Sequence, residues 1–273
     1  MVLYIGGDPV RLVVKKTKDI DEETEMIGRI LDRTIAGTVT IPQGIDKIGA
    51  YVFYGCNKID KIVMPRELIS IGRSAFSMVT KMPQIDLPST LQEILTDAFA
   101  SCTSLTEISI PANVVLIDDS AFFNCRKMKK VNIASTVLNK IGTNAFANCS
   151  VLESFSIVTA GEDITMGNSV FANCSSLRNV NFLFRVTVMG NSCFKNCTSL
   201  SSVTLSKRMK VISKQTFSGC TALAFISIPD NITDIDSTAF ENCPNLGVIQ
   251  IKKAENSIAG APWGAENATV VWQ

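Results

Sequence analysis

From residue 38 onward, polar and apolar positions follow one repeating template. An apolar–x–apolar triplet recurs ten times: Val39-Thr40-Ile41, Ile62-Val63-Met64, Ile85-Asp86-Leu87, Ile108-Ser109-Ile110, Val131-Asn132-Ile133, Phe155-Ser156-Ile157, Val180-Asn181-Phe182, Val203-Thr204-Leu205, Ile226-Ser227-Ile228 and Ile249-Gln250-Ile251. Alternation with period two predicts a strand with one face buried. A second signal runs in phase with the first. Phenylalanine stands at 53, 76, 99, 122, 146, 171, 194, 217 and 240, at spacings of 23, 23, 23, 24, 25, 23, 23 and 23, and one further step of 23 reaches Trp263. Self-similarity at a fixed period of this length predicts a solenoid whose coils touch only their neighbours. One strand per coil, all running the same way, predicts a parallel sheet about 45–50 Å long at ~4.8 Å per strand.

The other slots of the repeat complete the coil. Pro42, Pro65, Pro88, Pro111 and Pro229 follow the triplet in five coils; proline has no N–H for the ladder, so it ends the strand at a corner. An apolar pair spaced by three comes next, as in Ile45/Ile48, Leu91/Ile94, Met209/Ile212 and Ile232/Ile235, and fits a second short extended stretch on the opposite side. Then comes the aromatic phrase, Ser120-Ala121-Phe122-Phe123-Asn124-Cys125 in its fullest form. Two residues before the aromatic stand Ser74, Asp97, Ser120, Asn144, Ser169, Ser192 and Thr238, types that cap the free N–H groups of a helix start. Before the cysteine stand Asn124, Asn148, Asn173, Asn196 and Asn242, or Gly55 and Gly219, types that tolerate the left-handed backbone ending a helix. The phrase therefore predicts one short helical turn per coil, on the other side from the sheet.

Residues 1–37 lie outside the register. Val2-Leu3-Tyr4-Ile5 and Val10-Arg11-Leu12-Val13-Val14 read as two strands around Gly6-Gly7, followed by an acidic run from Asp19 to Glu25. Met26–Arg33 fits either a short helix or an irregular approach to the first coil. Terminal coils must cover an open core end, so 1–37 is expected to be a cap, with an attachment or oligomerisation element as the alternative. Residues 38–273 form the solenoid and its C-terminal cap. The insertion Val158-Thr159-Ala160-Gly161-Glu162-Asp163 leaves two readings open, a bulged loop without a role and a local binding spot.

Composition narrows the function classes. The chain is 46% hydrophobic and 19% charged, enough for a continuous core, and its formal net charge of +1 lacks the basic excess of a nucleic-acid binder. There is no histidine, which removes Ser-His-Asp and Cys-His catalysis, histidine metal sites and histidine pH switching. Dinucleotide, P-loop, zinc-protease and nucleophile-elbow motifs are missing, and Asp118-Asp119 and Glu162-Asp163 lack EF-hand spacing. No catalytic, cofactor or metal-binding residue is predicted. No run of 18 apolar residues spans a membrane, and the first residues lack the order of a secretory signal.

Nine cysteines invite a disulfide or metal reading until they are placed. Cys56, Cys102, Cys125, Cys149, Cys174, Cys197, Cys220 and Cys243 sit three residues after a ladder Phe, and Val79 takes that slot in the second coil. Cys193 takes the slot of Ala75, Ala98, Ala121, Ala145 and Ala239. Spacings of 23 are not zinc spacings. Buried free thiols are expected; a disulfide between adjacent coils, or oxidation of an exposed thiol, is the alternative. The glycosylation sequons at Asn148, Asn173 and Asn196 fall on the turn slot, which already explains the asparagine.

The units Ile85–Leu105, IDLPSTLQEILTDAFASCTSL, and Ile226–Leu246, ISIPDNITDIDSTAFENCPNL, resemble the leucine-rich repeats of the BspA-like, or Treponema pallidum type, family, as does the closing Ala259–Ala265 phrase. The resemblance covers about 38–273. It implies a leucine-rich-repeat solenoid, a non-enzymatic module of protein-binding or adhesion type, and a cell-surface or extracellular location. The missing signal and wall anchor depart from a typical surface member, and a virion or cytoplasmic location stays open. The implied partner is a protein, such as a host surface or matrix protein, or a glycan, with no nucleic acid and no membrane insertion. The alternative is a structural or assembly component attached through 1–37. The expected recognition column is the middle residue of each triplet, Asn132, Ser156, Asn181 and Thr204 at its centre. A sharper candidate is the corner formed by Phe184, Arg185, Lys207 and Arg208 with Phe225, where an aromatic beside clustered arginine would suit a protein contact.

Overall fold

In the computed structural model, the chain is described from 35 to 273 except 159 and 182, and before that as the backbone of four strands, Val2–Ile5, Asp8–Arg11, Val14–Lys16 and Thr24–Met26. Met26 ends the strand Thr24–Met26, and the rest of the expected helix or irregular approach, 27–33, lies outside the described residues, as does most of the acidic run. The chain winds into a parallel β-solenoid of about ten coils, ~23 residues each. Its triplets and its second apolar pairs form two strand rows on opposite sides of one core.

The row made by the triplets, the front row, is interrupted. Ala36–Thr40 pairs with Lys58–Val63; Glu107–Ile110, Lys130–Ile133 and Ser154–Ile157 form a second block. Asn179–Val180 pairs with Ser202–Val203, and Phe225–Ile228, Val248–Ile251 and Thr269–Trp272 close the row. One strand in every coil was the expectation; Ile85-Asp86-Leu87 of the third coil is not a strand. That triplet lies between Pro83 and Pro88, and two residues without N–H groups leave the segment too few donors to join either neighbour. The second apolar pairs of the first seven coils make the longer sheet, and those of the next two, Val211–Ile212 and Asp234–Ile235, pair with each other in a separate two-stranded sheet that continues the row. Thr24–Met26, Lys47–Ile48, Ser70–Ile71, Glu93–Ile94, Leu116–Ile117, Lys140–Ile141, Ile164–Met166 and Val186–Met189 run parallel in one nine-stranded sheet that Val14–Lys16 completes. The N-terminal strands take the first edge of both rows. Val2–Ile5 lies antiparallel to Ala36–Thr40, and Thr24–Met26 parallel to Lys47–Ile48.

Between the rows runs the aromatic column. All nine ladder phenylalanines have 0% exposure, and their rings stack nearly parallel, 4–10° between planes, with centroids 5.1–5.8 Å apart. Phe155 inserts edge-on between Phe146 and Phe171, at 5.1 and 4.7 Å, and fills space in the longest coil. Full burial of each ring contributes about 1.5–3 kcal/mol.

The aromatic phrase is not a helical turn. Among the described residues the one helical segment is the 3-10 turn Leu183–Arg185. The phrase is instead a chain of tight turns whose N–H groups alternate in direction. Phe76 N–H donates to Ala98 O of the next coil, Ser77 N–H back to Ser74 O, and Met78 N–H to Ala100 O. This zigzag needs positive φ at two slots. Ser74, Asp97, Ser120, Asn144, Ser169 and Ser192 hold φ of 52–58°, as do Tyr51 and Gln215 at 62° and 52°. Asn124, Asn148, Asn173, Asn196 and Asn242 hold 56–61°. Six of the seven residues expected as helix caps, all but Thr238, thus serve as left-handed hinges, a conformation in which short polar side chains are enriched. Trp263 is buried at 1% exposure, but it enters one slot early. Phe240 N–H donates to Trp263 O, the acceptor that Ala239 supplies to Phe217. The indole then meets Trp272 edge-on at 6.3 Å and donates from Nε1 to Ala259 O at 2.7 Å.

Candidate functional site

Where a triplet is paired throughout, strand pairing projects its middle residue outward; Asp86, Asn181 and Thr204 stand outside the strands. Thr40, Val63, Asp86, Ser109, Asn132, Ser156, Asn181 and Thr204 are exposed, and Ser227 and Gln250 are half-buried. Asn132 and Ser156 sit directly opposite in paired strands, and Ser156 Oγ donates to Asn132 Oδ1 at 2.9 Å. The face changes character along the solenoid. Lys61, Glu107 and Lys130 flank the column in the early coils, Ser154, Asn179 and Ser202 in the middle, and Phe225 and Val248 near the end. Phe225 is 49% exposed on the strand Phe225–Ile228.

The corner candidate is rearranged by the fold. Arg185 was expected on the surface; it is 2% exposed. Its Nε donates to Glu162 O at 2.7 Å, Nη1 to Ser135 O at 2.9 Å, and Nη2 to Thr136 O at 3.0 Å and Leu138 O at 3.2 Å. Burial pulls the guanidinium pKa down, while the Glu162 and Asp163 carboxylates oppose that shift. One side chain therefore ties the insertion and the preceding coil's corner together, and it cannot meet a partner. Gly161 lies flat on it: a Cβ there would stand 2.7 Å from Arg185 Cζ. Phe184 is half-buried against the core, Lys207 is exposed, and Arg208 pairs with Asp163 of the insertion. A signal for Arg185 exists in its slot, nine residues before a ladder Phe. There Thr90 donates to Arg66 O and Leu68 O, Asn113 to Ser89 O, and Asn231 to Met209 O. The slot supplies donors to the preceding corner's carbonyls, and the enlarged corner next to Arg185 calls for the longest donor.

The other candidate chemistry is absorbed by the fold. All nine cysteines are free and buried. Seven ladder thiols donate to a ladder Phe carbonyl of the preceding coil, for example Cys102 to Phe76 at 3.1 Å, Cys149 to Phe122 at 3.3 Å and Cys243 to Phe217 at 3.1 Å. The thiol is therefore a donor as well as a small apolar filler. Burial pushes Cys102, Cys149 and Cys193 up to about 12 and Cys243 to about 11. Asp118 is pushed up by burial, yet the Thr96 hydroxyl and Lys140 ammonium bonded to it hold it below the ordinary carboxylate value. Asp119 accepts from Thr143 N–H at 2.7 Å. At the sequons, Asn173 donates to Asn148 Oδ1 at 2.8 Å and Asn196 to Asn173 Oδ1 at 3.0 Å. Among the described residues no cluster of three metal-ligating side chains forms, and no helix is long and apolar enough to cross a membrane.

With this geometry in place, comparison with known proteins defines the class. The family model for the BspA type leucine-rich repeat region matches residues 33–153 and 139–261, and the chain belongs to that family. Its members are generally non-enzymatic scaffolds, and the repeat is a protein-interaction module in general. Among solved structures, the chain is similar to a leucine-rich repeat protein from Bacteroides ovatus, with 20% identity over 95% of this chain and 91% of that one, TM-score 0.43. It is similar to a leucine-rich cell surface protein from Faecalibacterium prausnitzii, 24% identical over 88% and 79%, TM-score 0.42. The leucine-rich repeat protein of T. pallidum is 22% identical over 61% of this chain and 87% of that one, TM-score 0.48. No curated protein sequence matches the chain.

Proposed function

We propose that this chain is a non-enzymatic, adhesion-type binding module that works at a cell surface and recognises a protein or glycan through its front face. The observation that supports this most is the exposed column from Thr40 to Thr204, carried by the front-row strands and by residues directly beside them, with a break in the strand row at Asp86 and a side chain that changes from coil to coil. Fixed coil spacing with variable exposed positions is how solenoids build extended recognition surfaces. Asn132, Ser156, Asn181 and Thr204 supply small hydrogen-bonding groups suited to wet contacts, and Phe225 supplies an aromatic anchor beside them. Lys207 and Phe184 border that area, with Arg208 restrained by its ion pair and Arg185 acting from beneath as support.

Residues 1–37 serve this module as its cap, because their strands take the edges that the first coil would otherwise leave open. The test is an array of extracellular-matrix proteins and glycans probed with the whole chain. A specific hit that Asn181→Arg with Thr204→Arg weakens at least about tenfold, a loss of ~1.4 kcal/mol, is expected. Binding untouched by that pair sinks the assignment of the face.

A further inference from the structure

Each coil passes from the aromatic phrase into the front row through a corner, formed by the fourth and fifth residues after the ladder phenylalanine. In the nine coils that carry a ladder Phe, neither position ever holds an acid. Its cations are gathered in one stretch: Lys58, Lys81, Arg126 and Lys127. Later coils place only uncharged residues there. All four cations are exposed. Lys58, Lys81 and Lys127 share one register position, with Ser104 in the coil between the last two, so at ~4.8 Å per coil they form a row about 14 Å long, parallel to the solenoid axis. Arg126 stands beside Lys127 and is steadied by donating from Nε to Asn124 Oδ1 at 2.7 Å. Among the described residues the ion pairs are Lys140–Asp118 and Arg208–Asp163, so no carboxylate neutralises the row. The nearest acids along these coils, Asp60 and Glu107, come two or three residues later, on the approach to the front strands. They confine the positive strip to the corner.

We propose that this corner binds a linear sulfated polysaccharide, laid along the solenoid axis with its sulfates on Lys58, Lys81, Arg126 and Lys127. The site is separate from the Asn132–Thr204 column and does not depend on it. Charge complementarity selects the polymer. Cations set in line at the coil spacing match a chain that carries anions at intervals along its length, whereas a compact acidic patch on a folded protein meets only part of the row. The groups between the cations, Asn57, Thr80, Thr103 and Ser104, are amides and hydroxyls that both donate and accept, as sugar hydroxyls require. Neither corner position holds an aromatic ring in any of these coils, and such rings are the platform on which single-stranded nucleic acid stacks its bases. A duplex needs a broad basic face, which Asp60 and Glu107 deny it. A planar anionic bilayer would press those same two carboxylates against its headgroups.

The test is binding of the whole chain to immobilised heparin from about 50 to about 300 mM NaCl, beside desulfated heparin, a poly-dT strand and phosphatidylserine vesicles. Binding to heparin alone is expected, with log Kd rising against log salt at a slope of about 3, four contacts at ~0.7 each. Lys58→Gln, Lys81→Gln and Lys127→Gln together keep the exposed stems and are expected to weaken it about a hundredfold, about fivefold per lysine. Removing the same charge elsewhere, with Lys207→Gln, Lys210→Gln and Lys252→Gln, changes it less than about twofold. No heparin binding, equal binding of any of the other three probes, a corner triple that binds like the unaltered chain, or a control triple that loses as much overturns the proposal. Should the corner triple melt early by circular dichroism, the three single variants decide in its place. Asn181→Arg with Thr204→Arg does not weaken heparin binding, so failure of the corner and failure of the front face are told apart.

Discussion

Arg185 offers the sharpest quantitative check on how the coils are held. Arg185→Met keeps most of the aliphatic stem and removes the guanidinium, which donates to four main-chain carbonyls. Hydrogen bonds to a charged donor contribute about 1.5–3 kcal/mol each, so the gross loss is about 6–12 kcal/mol. Against that stands the desolvation of a nearly buried cation, several kcal/mol, which the variant recovers. Carbonyls such as Thr136 and Glu162 belong to exposed residues and can turn to water, whereas Ser135 and Leu138 are buried. The net loss is then about 2–4 kcal/mol in urea unfolding. Amide exchange should speed up first in 135–138 and 160–163, the segments joined by this side chain. A loss below about 0.5 kcal/mol, or faster exchange spread evenly over the solenoid, refutes the clamp and returns Arg185 to the list of surface candidates.

Other outcomes follow from the same packing. Phe146→Ala removes a ring stacked on Phe122 and Phe171 and touched by Phe155; a loss of about 3–5 kcal/mol in urea unfolding is expected. Cys149→Val leaves the slot filled, as Val79 shows, but deletes the donor to Phe122 O, so about 0.5–1.5 kcal/mol is expected in the same assay, well short of the Phe change. Thiol labelling with a disulfide reagent at pH 8 should leave the native chain unmodified and titrate nine groups after denaturation. The thiols also set a pH limit. Their folded pKa is raised above 9.0 to about 12 for Cys102, Cys149 and Cys193, so the folded state disfavours the thiolate. The stability this secures is complete below about pH 9 and is lost as pH climbs from there toward 12, visible as a falling melting temperature.

Much of the architecture can be read before any coordinates. The 23-residue step of the phenylalanines places every ring of the column, because a solenoid repeats its environment with its sequence. Even the lone Val79 identifies its slot as small and buried. What resists reading is contact between coils at an offset. The bond from Cys102 to Phe76 joins slots three apart in register, and composition alone makes that thiol look apolar. Ser and Asn serve helix caps and left-handed hinges equally well, so Ser120 and Asn144 carry no mark of which they form; Tyr51 and Gln215, poor caps in the same slot, are the residues that tell. Trp263 fits the count of 23, yet the backbone takes 24 residues to return to the ladder slot, and only its hydrogen bonds reveal the slip. Arg185 and Arg208 share a slot and differ in fate because the lengthened corner beside Arg185 exposes carbonyls that a guanidinium can reach. The candidate face is legible as a column, but its strand break at Ile85–Leu87 requires weighing two prolines together.

Binding measured on opposite faces of one chain tests the central claim most directly. Against a matrix protein or glycan selected on the array, the front-face pair Asn181→Arg with Thr204→Arg is compared with the opposite-row pair Val188→Arg with Val211→Arg, whose valines are 53% and 42% exposed. A front-face recognition surface predicts a loss of at least about tenfold for the first pair and less than about twofold for the second. Equal binding by the first pair, or a loss confined to the second, contradicts it.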